Sequence, residues 1–133
     1  VDILKAEFPT DADHETNEAK MIDYCRSLSE ISGDVPWVIL SAGVDFATFQ
    51  RQVKMACEAG ASGFVAGRAI WNEALDIAND AARDRFLNST AVSRLQVLAD
   101  TAKDRATSWR TRVAGRIPRC TEGWYVNYSK SAG

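Results

Sequence analysis

One histidine, His14, three cysteines and three prolines are all that this 133-residue chain holds of those residue types. The histidine comes without companion ligands, so no metal site is expected. The cysteines, Cys25, Cys57 and Cys120, are odd in number and far apart. That spacing suits no disulfide framework and points to a reducing, cytoplasmic setting. No apolar run approaches the roughly 20 residues that a membrane span needs, and no signal-peptide pattern is visible. A basic excess is missing too: the formal charge is −2 and the pI about 5.4, so neither nucleic acid nor an anionic membrane is expected as a partner. Gly60, Gly63 and Gly67 lack the G-x-G-x-x-G spacing of a dinucleotide fingerprint. What remains, 46% hydrophobic and 26% charged residues, is the composition of one globular domain at most.

A strand–helix rhythm runs through that composition. "VDILKAE" at the start, "WVILS" at 37–41 and "SGFVA" at 62–66 read as short strands. After the first, apolar residues recur at Met21, Ile22, Cys25, Leu28 and Ile31, which predicts a helix from about Asp13 to Ile31. Gly33 is its expected C-cap. After the second, Asp45 is a plausible N-cap, with Phe46, Phe49, Val53, Ala56 and Cys57 as the buried face. "RAIWNEALDIAND" reads as a further helix after Gly67. Val92, Leu95, Ala99, Ala102, Ala106, Trp109 and Val113 then predict one long helix packed by that stripe. From Gly115 to Gly133 periodicity is lost, and an extended tail anchored by Trp124, Tyr125 and Tyr128 is expected. The domain therefore reads as residues 1–114, with 115–133 as a tail.

Strands alternating with helices over short links imply an α/β fold with parallel strands and helical crossovers. Three parallel strands cannot close a barrel and leave two open edges. The chain is therefore expected to be the C-terminal part of a larger α/β protein, prone to self-association through an exposed sheet edge.

In a (β/α)8 setting the chemistry lies at the C-terminal ends of the strands. Alternation puts Ile3, Lys5 and Glu7 on one face of the first strand and Trp37, Ile39 and Ser41 on one face of the second. Those more polar sets are expected to point inward. Lys5 is the residue that most needs explaining, because an ammonium in an apolar run is costly to bury. Its ordinary role would be an edge lysine that reaches water or pairs with Glu7. Its other role is a Schiff-base nucleophile, whose amine must be neutral; apolar surroundings favour that form and Glu7 opposes it. The loops "LSAGVD" and "VAGRAIW" each carry a glycine, Gly43 and Gly67, where backbone would approach a ligand closely, and each leads into a helix N-terminus. Arg68 adds a planar fork suited to phosphate. As plain turn glycines and a surface cation these residues would do none of this. His14, Trp37, Trp71 and the "RDR" at 83–85 read as surface or packing residues.

"DILKAEFP" and "PWVILSAGVDFATFQRQVKMACEAGASGFVAGRAIW", in that order and separation, resemble the class I tagatose 1,6-bisphosphate aldolases and their sulfofructose phosphate relatives, over roughly residues 1–110. The resemblance implies a TIM barrel, of which this chain would be about strands 6–8 with their helices. It implies that Lys5 is the Schiff-base lysine and that Ser41, Ala42, Gly43, Gly67 and Arg68 hold a substrate phosphate. The implied reaction is a carbon–carbon lyase reaction on a phosphorylated ketose of tagatose, fructose or sulfofructose type, without a metal or other cofactor. The family's catalytic glutamate belongs to an earlier strand, so neither Glu7 nor Glu30 takes that role, and the chain alone is expected to be inactive. The second reading is a non-catalytic phosphosugar-binding protein on the same fold.

Overall fold

A computed structural model describes residues 2–11, 14–113 and 123 of the chain. The order of elements is β1 (Leu4–Ala6), α1 (Glu18–Ser32), β2 (Trp37–Leu40), α2 (Phe46–Glu58), β3 (Phe64–Val65) and α3 (Arg68–Trp71). A 3₁₀ segment, Asn72–Asp76, then leads to α4 (Asp80–Phe86), a π-turn at Leu87–Ala91, α5 (Val92–Arg105) and α6 (Trp109–Arg112). The expected tail, with Cys120 and its three aromatic residues, lies outside the described residues apart from Gly123.

The sheet is parallel, in the order β1-β2-β3, as the strand–helix alternation requires. Leu4 pairs with Trp37, Lys5 with Val38 and Ala6 with Ile39; Ile39 pairs with Phe64 and Leu40 with Val65. Paired residues of a parallel ladder share a face. One face therefore carries Leu4, Ala6, Trp37, Ile39 and Phe64, all part of the core or packed on it, with Trp37 and Ile39 fully buried. The other carries Ile3, Lys5, Val38, Leu40 and Val65, of which Ile3, Lys5 and Val65 are exposed. This corrects one expectation. Trp37 and Ile39 do not share a face with Lys5, because the register sets Lys5 beside Val38. The apolar Trp37–Ile39 set turns to the helices, where its burial is most favourable.

The helices close the covered face. α1 starts at Glu18, five residues later than the Asp13 start expected, because the Asn17 side chain accepts hydrogen bonds from the Ala19 and Lys20 amides and fixes the start there. Met21 and Cys25 are buried, but Ile31 is 85% exposed and leaves the stripe. α2 follows the sequence closely: Asp45 caps it, and Phe49, Val53, Ala56 and Cys57 are buried beside Gln52 and Met55. The segment after Gly67 is not one helix. It is a single α-turn followed by a 3₁₀ segment, and α4 restarts at Asp80 behind its Asn79 cap.

The long C-terminal helix is also corrected. It breaks at residues 106–108, and Val92 and Leu95 face solvent. Ala91 and Leu98 are buried, and Ala102 packs on the same core. Of the expected stripe, Ala102 and Ala106 do pack on the core, but before them the sheet-covering layer takes Ala91 and Leu98 in place of Val92, Leu95 and Ala99. The π-turn before α5 shifts the helical phase at that point. Below the sheet, Arg112 donates to the Gly33 and Gly60 carbonyls at 2.7 and 3.2 Å, which satisfies the chain ends after α1 and α2.

Candidate anion-binding cleft at the strand ends

Beyond the C-terminal ends of the strands the 40–43 loop turns sharply. The Val44 amide donates to the Ser41 carbonyl at 3.0 Å, and the two residues between, Ala42 and Gly43, have φ of 49° and 91°. Left-handed values at both central positions are those of a type I′ turn. Glycine takes this without cost, whereas alanine is strained there by on the order of 1 kcal/mol. Ser41 is 7% exposed.

A β-carbon on Gly43 would stand 3.1 Å from Nη2 of Arg68 and 3.2 Å from its Cζ. The guanidinium therefore lies on the bare face of that glycine. At Gly67 an added β-carbon meets no protein atom within 4 Å; its backbone faces the open cleft.

The two loops and the first strand enclose a cleft of about 260 Å³. Lys5 enters it from β1, Ser41 and Ala42 from the first loop, and Gly67 and Arg68 from the second. Leu40, Val65, Ala66 and Trp71 complete the lining. All the residues singled out in the sequence line this cleft except Gly43, which touches it through Arg68. Trp71, expected to be a packing residue, is 39% exposed and forms one wall. Its place three residues after Arg68, one turn along the same helix face, is the signal that would have found it.

The electrostatics of the cleft follow from its lining. It holds two cationic side chains and no acidic one among the described residues. Neither Lys5 nor Arg68 forms an ion pair among the described residues. Glu7, a possible partner for Lys5, lines a separate hollow with Phe8, Asp45 and Gln52. The expected use of helix N-termini is not realised. At α2 the carboxylate of Asp45 accepts from the Thr48 amide at 3.0 Å and from the Thr48 hydroxyl at 2.7 Å. These hydrogen bonds lower the Asp45 pKa, the Thr48 amide contributing most, and a carboxylate already occupies that end of the dipole. At the other loop α3 is a single turn. The positive character of the cleft is thus carried by side chains.

The model of the DeoC/LacD family aldolases matches residues 1–73, which contain all three strands and both loops. The chain belongs to the DeoC/LacD aldolase family. It is also similar to tagatose 1,6-diphosphate aldolases of Staphylococcus aureus, from strains bovine RF122 / ET3-1, JH9 and Newman. Each is 33% identical over 126 residues, an alignment covering 84% of this chain. The chain spans 38% of the length of these relatives. Among the described residues no helix is long and apolar enough to cross a membrane.

Proposed function

We propose that this DeoC/LacD-family chain forms the Schiff-base half of a class I aldolase acting on a ketose bisphosphate such as tagatose 1,6-bisphosphate. Lys5 is the nucleophile, and Ser41, Ala42, Gly43, Gly67 and Arg68 seat one substrate phosphate. In this reading the chain is about strands 6–8 of a (β/α)8 barrel, with residues 1–114 as its folded part and 115–133 as a tail. The observation that carries it is the meeting of Lys5 and Arg68 in one acid-free cleft at the ends of parallel strands.

The chemistry follows from that placement. Arg68, held flat on Gly43, presents its fork to a phosphate, and this fixes the ketose in the cleft. The Lys5 amine adds to the C2 carbonyl, and loss of water leaves an iminium ion. A proton then leaves the C4 hydroxyl, the C3–C4 bond breaks, and its electron pair flows into the iminium as an enamine. The aldehyde phosphate departs. Protonation at C3 and hydrolysis of the C2–nitrogen bond release dihydroxyacetone phosphate and restore Lys5. The described lining of the cleft offers no carboxylate to take the C4 proton, so the chain alone is read as inactive.

The test is reduction with borohydride in the presence of dihydroxyacetone phosphate, followed by peptide mass mapping. It is run on this chain and on a chimaera in which residues 1–110 replace the matching segment of a staphylococcal relative. A reduced adduct on Lys5 supports the nucleophile, and its loss in Lys5→Arg ties it to that amine. A folded chimaera that binds inorganic phosphate yet gives no adduct at Lys5 would replace this reading with a non-catalytic phosphosugar-binding one.

A further inference from the structure

Arg68 stands at the start of a weak element. α3 is one turn long, and its N-cap Gly67 makes no side-chain hydrogen bond. A helix that short has no stability of its own, so something outside it must fix where Arg68 begins.

That something is Arg94, in the first turn of α5. Its Nη1 donates to the Ile70 carbonyl of α3 at 3.2 Å and forms an ion pair with Glu73 at 2.6 Å. Its guanidinium also lies 5.0 Å from the ring centroid of Phe46, the first residue of α2, and 5.4 Å from that of Phe86 in α4. The Arg94 side chain is only 18% exposed, so its contacts with the Ile70 carbonyl and the two rings are largely shielded from solvent, while the Glu73 carboxylate, 57% exposed, is screened. Phe46 directly follows the Asp45 cap, which follows the Ser41–Val44 turn. One guanidinium therefore holds both helices that leave the two loops of the cleft. A small hollow lined by Gly43, Phe46, Arg68, Glu73 and Arg94 records the same arrangement.

We infer that Arg94 is a positioning residue of the anion cleft: by joining α3 to α2 it keeps the Arg68 guanidinium seated on Gly43. It acts through Ile70, Glu73 and Phe46 and does not line the cleft. The inference rests on the proposed phosphate role of Arg68 for its functional meaning, but not for its geometry. A lysine at 94 could keep the charge, yet it lacks the planar fork that contacts a carbonyl, a carboxylate and two rings together.

The experiment has two arms, applied to the wild-type chain, Arg94→Met, Arg94→Lys, Glu73→Gln and Leu98→Ala. Glu73 is the more exposed partner, so Glu73→Gln is the variant that keeps the fold if the arginine variants do not. Leu98→Ala is a buried core change one turn along the same helix that removes none of the Arg94 contacts themselves, so it separates loss of core packing from loss of the guanidinium. The first arm needs no ligand: amide signals of Gly43 and Gly67 and the Nε signal of Arg68 are followed by NMR beside the melting temperature. Arg94→Met is expected to displace or broaden these signals, Arg94→Lys and Glu73→Gln to do so partly, and Leu98→Ala to lower the melting temperature and leave them in place. The second arm titrates inorganic phosphate, for which Arg94→Met should bind about tenfold more weakly, the scale of one lost charge-assisted hydrogen bond. Unmoved Gly43 and Arg68 signals in a folded Arg94→Met or Glu73→Gln variant would overturn the inference. So would displacement of the same size in Leu98→Ala. A wild-type chain indifferent to phosphate would instead refute the reading of the cleft, while the first arm still decides the role of Arg94.

Discussion

The guanidinium of Arg68 rests against Gly43, with Nη2 3.1 Å from where a β-carbon would stand. The contact joins two loops that follow different strands, and it exists only because Gly43 has no side chain and turns with φ of 91°. Gly43→Ala should disturb both features at once. The left-handed backbone makes it destabilising by about 1–2 kcal/mol, read as a lower melting temperature. Displacement of Arg68 should weaken inorganic phosphate binding by about tenfold, read by calorimetry.

Asp45 gives a pH-dependent prediction. Its carboxylate is bonded to Thr48 in the folded chain, which depresses its pKa. A depressed acid contributes stability above its unfolded pKa and loses it as pH falls through the folded value. Asp45→Ala should therefore cost about 1 kcal/mol near neutral pH. The gap between the two proteins should narrow below about pH 4, the ordinary carboxylate range. Urea titrations at neutral and acidic pH measure it.

The two buried thiols predict chemical inertness. Burial raises Cys25 to about 12 and Cys57 to about 11, from an ordinary value of 9.0. Both stay protonated at neutral pH, and only a thiolate alkylates. Iodoacetamide should label neither peptide in the folded chain and both in urea. With folded values above the unfolded one, the stability these thiols contribute is complete below about pH 8.5 and falls as pH rises toward 11–12.

The phase of α5 is testable by two leucines. Leu98 is 0% exposed and Leu95 49%. Leu98→Ala should cost about 2–5 kcal/mol, whereas Leu95→Ala should stay within about 0.5 kcal/mol. Denaturant midpoints compared at equal slope decide it. The reverse ranking would restore the stripe through Val92, Leu95 and Ala99.

Much of the fold was legible in the residues themselves. The alternation of short apolar runs with helical periodicity determined the parallel strand–helix order, because local hydrogen bonding and burial select period 2 or period 3.6. Asp45 as a cap, Gly33 as a stop and the α2 face through Phe49, Val53, Ala56 and Cys57 were local enough to read directly. The order of Lys5, the Ser41–Gly43 turn and Arg68 along the chain also identified the residues that meet at the strand ends.

Other features depended on contacts far apart in sequence. Alternation alone could not say which face of β2 lay beside Lys5; the pairing of Lys5 with Val38 decided that. Periodicity put Val92, Leu95 and Ala99 on the α5 stripe, and packing against the core chose Ala91 and Leu98 in their place. Propensity could not foresee that "RAIWNEALDIAND" would break into a single α-turn and a 3₁₀ segment. Nor could it place Arg94 across Ile70, Glu73, Phe46 and Phe86. Sequence sets what each segment can form and bury. Register, helix phase and the reach of one guanidinium between segments are set by how those surfaces fit together, which is why tertiary structure alone decided them.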